Sequence, residues 1–166
     1  MGNSGDSRAV LARKPKAAGG KFVAVALSED HKPDLATEKA RIERAGGFVE
    51  DNRVKGVLNL SRSLGDLEYK TDPKLKADEQ MITAVPEIKR EKTDGAAFLI
   101  IACDGIWDCL TSQEAVETVG DLLYNKKKEK VSQAVEDVFE RIIATDVASS
   151  GGIGCDNMTC IVVQFK

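Results

Sequence analysis

Aromatic residues make up only 5% of this 166-residue chain, which has a single tryptophan and a single histidine. So few rings leave little material for a base-stacking surface. Lysine and arginine total 24 against 27 acidic residues, a net charge of −3, which supplies no basic footprint for a phosphate backbone. No nucleic-acid partner is therefore expected. One histidine rules out an imidazole-rich zinc site, and there is no EF-hand pattern. No apolar run approaches the roughly 20 residues that cross a bilayer. The opening Met1-Gly2-Asn3-Ser4-Gly5-Asp6 is small and polar, unlike a secretory leader. It also carries Asp6 where a myristoylation motif wants Ser or Thr, so no membrane partner is expected either. The four cysteines, Cys103, Cys109, Cys155 and Cys160, lack the paired C-x₂-C spacing of a zinc knuckle. They read as reduced thiols of a cytoplasmic or nuclear protein, with a disulfide or a zinc site as the alternatives.

What is present suits one domain with a real core: 42% apolar and 31% charged residues. Ser7–Ala12 and Phe22–Leu27 read as strands joined by a Pro/Gly turn over 14–21. Asp34 is an expected N-cap for a helix over 35–45 that Gly46-Gly47 ends. Asp51-Asn52 marks a short hairpin, and further strands are expected over 57–60 and 81–89, with Pro86 pushing the latter toward an edge. Residues 68–80 read as a loop or short helix. Ala97–Cys103, continuously apolar and β-branched, predicts a buried central strand. Thr111-Ser112-Gln113-Glu114 predicts a capping box opening a helix to Tyr124. After Lys126-Lys127-Lys128, read as a solvated turn, a second helix over 129–147 would bury Val131, Val135, Val138, Ile142 and Ile143. A loop over 149–154 and a strand over 158–165 complete the chain, with no repeat and no linker.

Two places share one construction: an aspartate at a strand end, in a tight turn. Asp104, in Cys103-Asp104-Gly105-Ile106-Trp107-Asp108, follows the apolar strand, and Gly105 allows close backbone approach. Asp156, in Gly154-Cys155-Asp156-Asn157-Met158, precedes the last strand. If those strands are neighbours, both carboxylates project from one rim. Hard cations such as Mg²⁺ or Mn²⁺ favour such oxygen donors. Asn157 reads as a turn former that orients Asp156, and Trp107 as a packing anchor under the turn.

Gly5-Asp6-Ser7-Arg8, Asp30-His31-Lys32-Pro33, Ser61-Arg62-Ser63-Leu64-Gly65-Asp66, Asp104-Gly105-Ile106-Trp107-Asp108 and Gly154-Cys155-Asp156-Asn157-Met158-Thr159 occur in that order. With this ordered set, over nearly the whole chain, the sequence resembles the protein phosphatase 2C family of metal-dependent serine/threonine phosphatases. The resemblance implies an α+β fold, a four-layer α-β-β-α sandwich of antiparallel sheets, incomplete here. It implies Asp104 and Asp156 as ligands of two catalytic Mg²⁺ or Mn²⁺ ions, with Asp6 and Asp108 helping to hold a further, weaker one. The implied reaction is attack of a metal-activated water on phosphoserine or phosphothreonine in phosphoprotein substrates. His31, Arg62 and Asp66 read as scaffold that orders loops, with a general-acid His31 and metal or phosphate contact by Arg62 and Asp66 as the alternatives. Residues 34–56 match by position a flap tied to substrate choice, or equally a surface helix and hairpin without substrate contact.

The family's early segments, among them an Asp-Gly-His-Gly-Gly whose aspartate bridges the metals, are not in this sequence. The expectation is therefore that residues 1–166 form the C-terminal portion of a catalytic domain, inactive alone. Such a piece would self-associate or pair with the missing N-terminal half. The alternatives are a non-catalytic pseudo-phosphatase or partner-binding module on the same scaffold, and an unrelated metal-binding regulatory domain.

Overall fold

The computed structural model describes residues 1–15, 17 and 19–166; Lys16 and Ala18, in the expected 14–21 turn, lie outside the described residues. In chain order the elements are β1 (Gly2–Asn3), β2 (Arg8–Arg13), β3 (Val23–Ala26), α1 (Ala36–Arg44), β4 (Val49–Glu50), β5 (Arg53–Val54), β6 (Glu87–Ile88), β7 (Ala96–Ala102), α2 (Asp104–Trp107), α3 (Ser112–Gly120), α4 (Val131–Ile142) and β8 (Cys160–Gln164). Each pairing between these strands is antiparallel, giving the mixed helix and antiparallel-sheet class that the sequence predicts. The backbone divides into two compact units. One comprises Met1–Asp6 with Ser28–Lys89, the other Ser7–Leu27 with Arg90–Lys166.

The second unit is built on a four-stranded sheet of order β3-β2-β7-β8. The Ala-Phe-Leu-Ile-Ile run of β7 lies between β2 and β8, as its continuous apolarity requires. Because side chains alternate along a strand, Val10, Ala12, Phe98, Ile100 and Ala102 share one face. They pack there with Ala115, Val116 and Val119 of α3 and Ala134 and Val138 of α4. The opposite face is apolar too. The registers align Val25, Leu11, Leu99 and Val163 in one row, and Ala9, Ile101 and Ile161 in the next. On the edge strands Val23, Ile161 and Val163 of that face are exposed.

The predicted capping box forms: Thr111 Oγ1 accepts from the Glu114 amide (3.2 Å), and Glu114 Oε2 accepts from the Thr111 amide (2.9 Å). Past Gly120 the helix loosens into a π-turn over Asp121–Asn125. Helix α4 is shorter than the 129–147 expected. It stops at Ile142, where Gly154 (φ 75°) packs against the Ile142 carbonyl and the Ala144 amide donates to the Gly154 oxygen (2.9 Å). Ile143, expected in the core, is consequently exposed.

In the first unit α1 begins at Ala36 with Leu35 as N-cap; Asp34 does not cap it, and no side chain does. The chain is already turned there by the Leu35 amide bonding the Lys32 carbonyl. The glycine stop is a Schellman pair: Gly47 N–H to Ile42 O (2.9 Å) and Gly46 N–H to Glu43 O (3.0 Å). Asp51 (φ 48°) and Asn52 (φ 59°) make the hairpin turn between β4 and β5. Two expected strands are not formed as such. Over 57–60 only one bridge survives, Val54–Leu58, because Lys55 and Gly56 at positive φ curl the chain back. Over 81–89 the one strand formed is β6, paired with β1, and Thr83 adds a single parallel bridge to Arg62. The Thr83 hydroxyl donates to the Ala77 carbonyl and accepts from the Val85 amide, diverting the backbone before Pro86.

Candidate metal centre

Strand β7 runs into Asp104, and β8 starts just after Asp156. The two strands are paired, with Ala102 opposite Cys160. The ladder continues one step into the turns: the Cys103 amide donates to the Thr159 carbonyl (3.1 Å). Cys103 Sγ then accepts from the Thr159 amide (3.2 Å) and donates to the Asn157 carbonyl (3.3 Å). Gly105 is where the turns meet. A Cβ added there would run into the Asn157 carbonyl oxygen and lie 3.6 Å from Asp156 Cβ. Only glycine lets the Asp104 and Asp156 turns abut this closely.

Each of the two carboxylates is oriented by the amide that follows it. Asp104 Oδ1 accepts from Gly105 N–H (3.0 Å), and Asp156 Oδ1 from Asn157 N–H (2.6 Å). Asp156 and Asn157 are exposed, and Asp104 is half-buried. Asp108 ends the α2 turn with its amide on the Asp104 carbonyl (2.8 Å), its side chain in solvent. Trp107 is buried beneath, its indole N–H donating to the Ala102 carbonyl (2.8 Å). Over its ring lies the Arg8 guanidinium, 5.0 Å from the centroid, with Nη1 donating to Ser112 Oγ (3.1 Å). All four cysteines are free. Burial, with the neighbouring Cys103, pushes the Cys160 thiol up to about 11.

The other predicted residues lie in the first unit. Asp6 is paired with the Lys32 ammonium. His31 is buried; Nδ1 accepts from the Gly5 amide (3.3 Å), Nε2 lies 3.4 Å from Glu87 Oε2, and its carbonyl accepts from Ser61 Oγ (2.9 Å). Asp66, in left-handed backbone (φ 47°), accepts from the Ser63 hydroxyl. Arg62 grips Glu38 with Nε to Oε2 (3.0 Å) and Nη2 to Oε1 (2.7 Å), while Nη1 reaches the Val85 carbonyl (3.1 Å). Glu38 is the residue that sequence reasoning missed. It is 1% exposed and also takes Arg41 Nη1 (2.8 Å) and Ser61 Oγ (2.6 Å). Burial would raise its carboxyl, but the hydrogen bonds from Arg62, Ser61 and Arg41 outweigh that and hold it at about 2. The one sequence signal was its i,i+4 spacing to Ile42 on a helix otherwise polar.

A hard cation wants oxygen donors, and the abutting aspartate turns supply them. Among the described residues, no three His, Cys, Asp or Glu side chains converge as a metal site. The chemistry of the turns fits a divalent cation, while their number fits part of its coordination sphere.

A family profile described as protein phosphatase 2C matches residues 1–149. The chain belongs to the protein phosphatase 2C family. Probable protein phosphatase 2C 21 of Arabidopsis thaliana is 47% identical over 167 residues, covering 100% of this chain and 44% of the relative. Probable protein phosphatase 2C 3 of Paramecium tetraurelia is 47% identical over 169 residues, 100% of this chain and 53% of the relative. The chain thus spans about half the length of the curated relatives it matches. Among solved structures, a phosphatase from a pathogenic strain of Toxoplasma gondii superposes with TM-score 0.78 at 32% identity, covering 99% of this chain and 47% of that one. The serine-threonine phosphatase 2C from Toxoplasma gondii gives TM-score 0.71 at 25% identity, with 99% and 54% covered. Asp104, Asp108 and Asp156 therefore sit in a protein phosphatase 2C scaffold.

Proposed function

We propose that this chain contributes part of the site of a metal-dependent serine/threonine protein phosphatase. It would supply Asp104 and Asp156 as ligands of Mg²⁺ or Mn²⁺, with Asp108 as a ligand of a further ion. The observation that carries the reading is the abutment of the two aspartate turns at Gly105. Asp104 and Asp156 would hold such cations, whose contribution would be to lower the pKa of water and neutralise charge on a phosphoryl group. The chain's own work is positional. The Gly105 and Asn157 amides fix one oxygen of each carboxylate, and the paired strands fix the spacing of the turns. The proposed substrates are phosphoproteins, with residues 34–56 as the flap that bears on their choice.

Two carboxylate turns do not complete the roughly six-oxygen shell of such ions, so the reading includes weak metal binding and no turnover by this chain alone. A further segment or a second copy would complete the assembly, covering the apolar sheet face on whose two edge strands Val23, Ile161 and Val163 are exposed. A non-catalytic module is the second reading. The Lys32 ammonium on Asp6 favours it, since a cation of the protein's own already engages that carboxylate.

The test is Mn²⁺ binding by the purified chain, followed by electron paramagnetic resonance of the free ion, alongside hydrolysis of a phosphothreonine peptide. Binding lost in both Asp104→Asn and Asp156→Asn is expected, with no Mn²⁺-dependent hydrolysis. Binding that survives both substitutions overturns the ligand assignment. Hydrolysis above the level of the double variant overturns the claim that the chain alone is inactive.

A further inference from the structure

Helix α2 is a single turn of four residues, too short to hold itself in water. Its attitude at the end of β7 depends on anchors outside it, and these converge on Trp107. The indole N–H bonds the Ala102 carbonyl, and Arg8 lies over the ring. Arg8 stands opposite Ala102 in the β2–β7 register, so strand pairing itself delivers the guanidinium to this place. Its Nη1 then reaches Ser112 Oγ, at the first residue of α3. Arg8 therefore braces the segment that carries Asp104 and Asp108 at Trp107 and again just beyond it, at Ser112.

We infer that Arg8 is a positioning residue for the Asp104 turn, acting through Trp107 and Ser112 to hold Asp104 where its turn abuts that of Asp156. This rests on the reading of the two aspartates as ligands of a divalent cation. An arginine suits the role better than a lysine, because a planar guanidinium stacks on the indole and still directs a hydrogen bond sideways.

The inference separates from plain electrostatics by sign. A cation near two carboxylates opposes the binding of Mn²⁺, so removing Arg8 would tighten binding if charge alone mattered. Positioning demands the opposite. The experiment is the same Mn²⁺ titration on the full chain with Arg8→Met, Arg8→Lys, Ser112→Ala and, as a control of equal charge change in the same strand, Arg13→Met. Trp107, the one tryptophan, gives an independent fluorescence readout of the turn.

Arg8→Met is expected to weaken Mn²⁺ binding about tenfold, with helical circular dichroism retained and Trp107 emission shifted. Arg8→Lys falls between it and wild type, Ser112→Ala loses about threefold, and Arg13→Met stays within about twofold. Equal or tighter binding by Arg8→Met, in a chain whose Asp104→Asn variant does not bind, overturns the inference alone. Absence of Asp104-dependent binding in the wild type overturns the aspartate reading and the inference with it. If Arg8→Met is unfolded by circular dichroism, Arg8→Lys decides by the same comparison.

Discussion

The two units solve the problem of a small interior by opposite means. The second unit fills its interior with apolar side chains, Phe98 and Ile100 of the sheet against Val116 and Val138 of the helices. The first has little to bury: Ile42, Val54, Met81 and Ile82 form its cluster. Beside that cluster it places a carboxylate between two guanidiniums, Glu38 with Arg41 and Arg62. An apolar interior is tolerant of pH and costly to hollow out. A buried ion cluster holds only while each charge keeps its partner, since removing one partner leaves the others desolvated and unmatched. The cluster also specifies geometry, because Arg41 reaches the Gln80 carbonyl (3.1 Å) and Arg62 the Val85 carbonyl (3.1 Å). Three chain segments are thereby fixed around one carboxylate.

The sharpest way to break this contrast is to remove one keystone from each unit and follow hydrogen exchange by mass spectrometry, which reads the units separately. Phe98→Ala should cost about 3–5 kcal/mol, with lost protection confined to β2, β7 and the helices packed on them. Glu38→Gln should cost about 3 kcal/mol, with lost protection in α1 and around residues 61–62 and 80–85. Equal loss in both units from either change would show that the contrast is false.

Acid distinguishes the two units as well. The Glu38 carboxyl is held at about 2 against an ordinary value of 4.5. A group depressed on folding stabilises fully above its unfolded pKa and loses that contribution as pH falls through the folded one. Protection of α1 amides should therefore decline between about pH 4.5 and 2, and Glu38→Gln should abolish that dependence. Smaller still, Thr111→Ala should cost about 1 kcal/mol through loss of the α3 cap, read as a lower denaturation midpoint. Lys21→Ala, which removes the exposed Lys21–Glu117 pair (2.9 Å), should leave the midpoint nearly unchanged by the same measurement.

Legibility in the sequence followed the same division. The second unit's elements are nearly all visible there, because a continuous apolar run, a capping box and alternating strands are local patterns with one physical meaning. The turns at Asp104 and Asp156 were readable too, since Asp-Gly and Asp-Asn at strand ends are turn chemistry. The first unit was read least well where its order comes from polar contacts distant in sequence. The strands expected over 57–60 and most of 81–89 give way to turns fixed by positive φ at Lys55 and Gly56 and by the Thr83 hydroxyl. Glu38 looked like one more solvated charge on a surface helix. Its burial depends on Arg62, 24 residues away, and no periodicity carries that information.

The glycine at 105 has a consequence for anyone who would move these two turns elsewhere. Because the Asn157 carbonyl occupies the space where a side chain at 105 would begin, the two loops form one graft, divisible only at the expense of both. Transplanting Asp104 with its own turn into another scaffold would carry half an interlocking part. A recipient must accept the antiparallel strand pair beneath as well, and the smallest transferable unit is the hairpin-like end of β7 and β8 together.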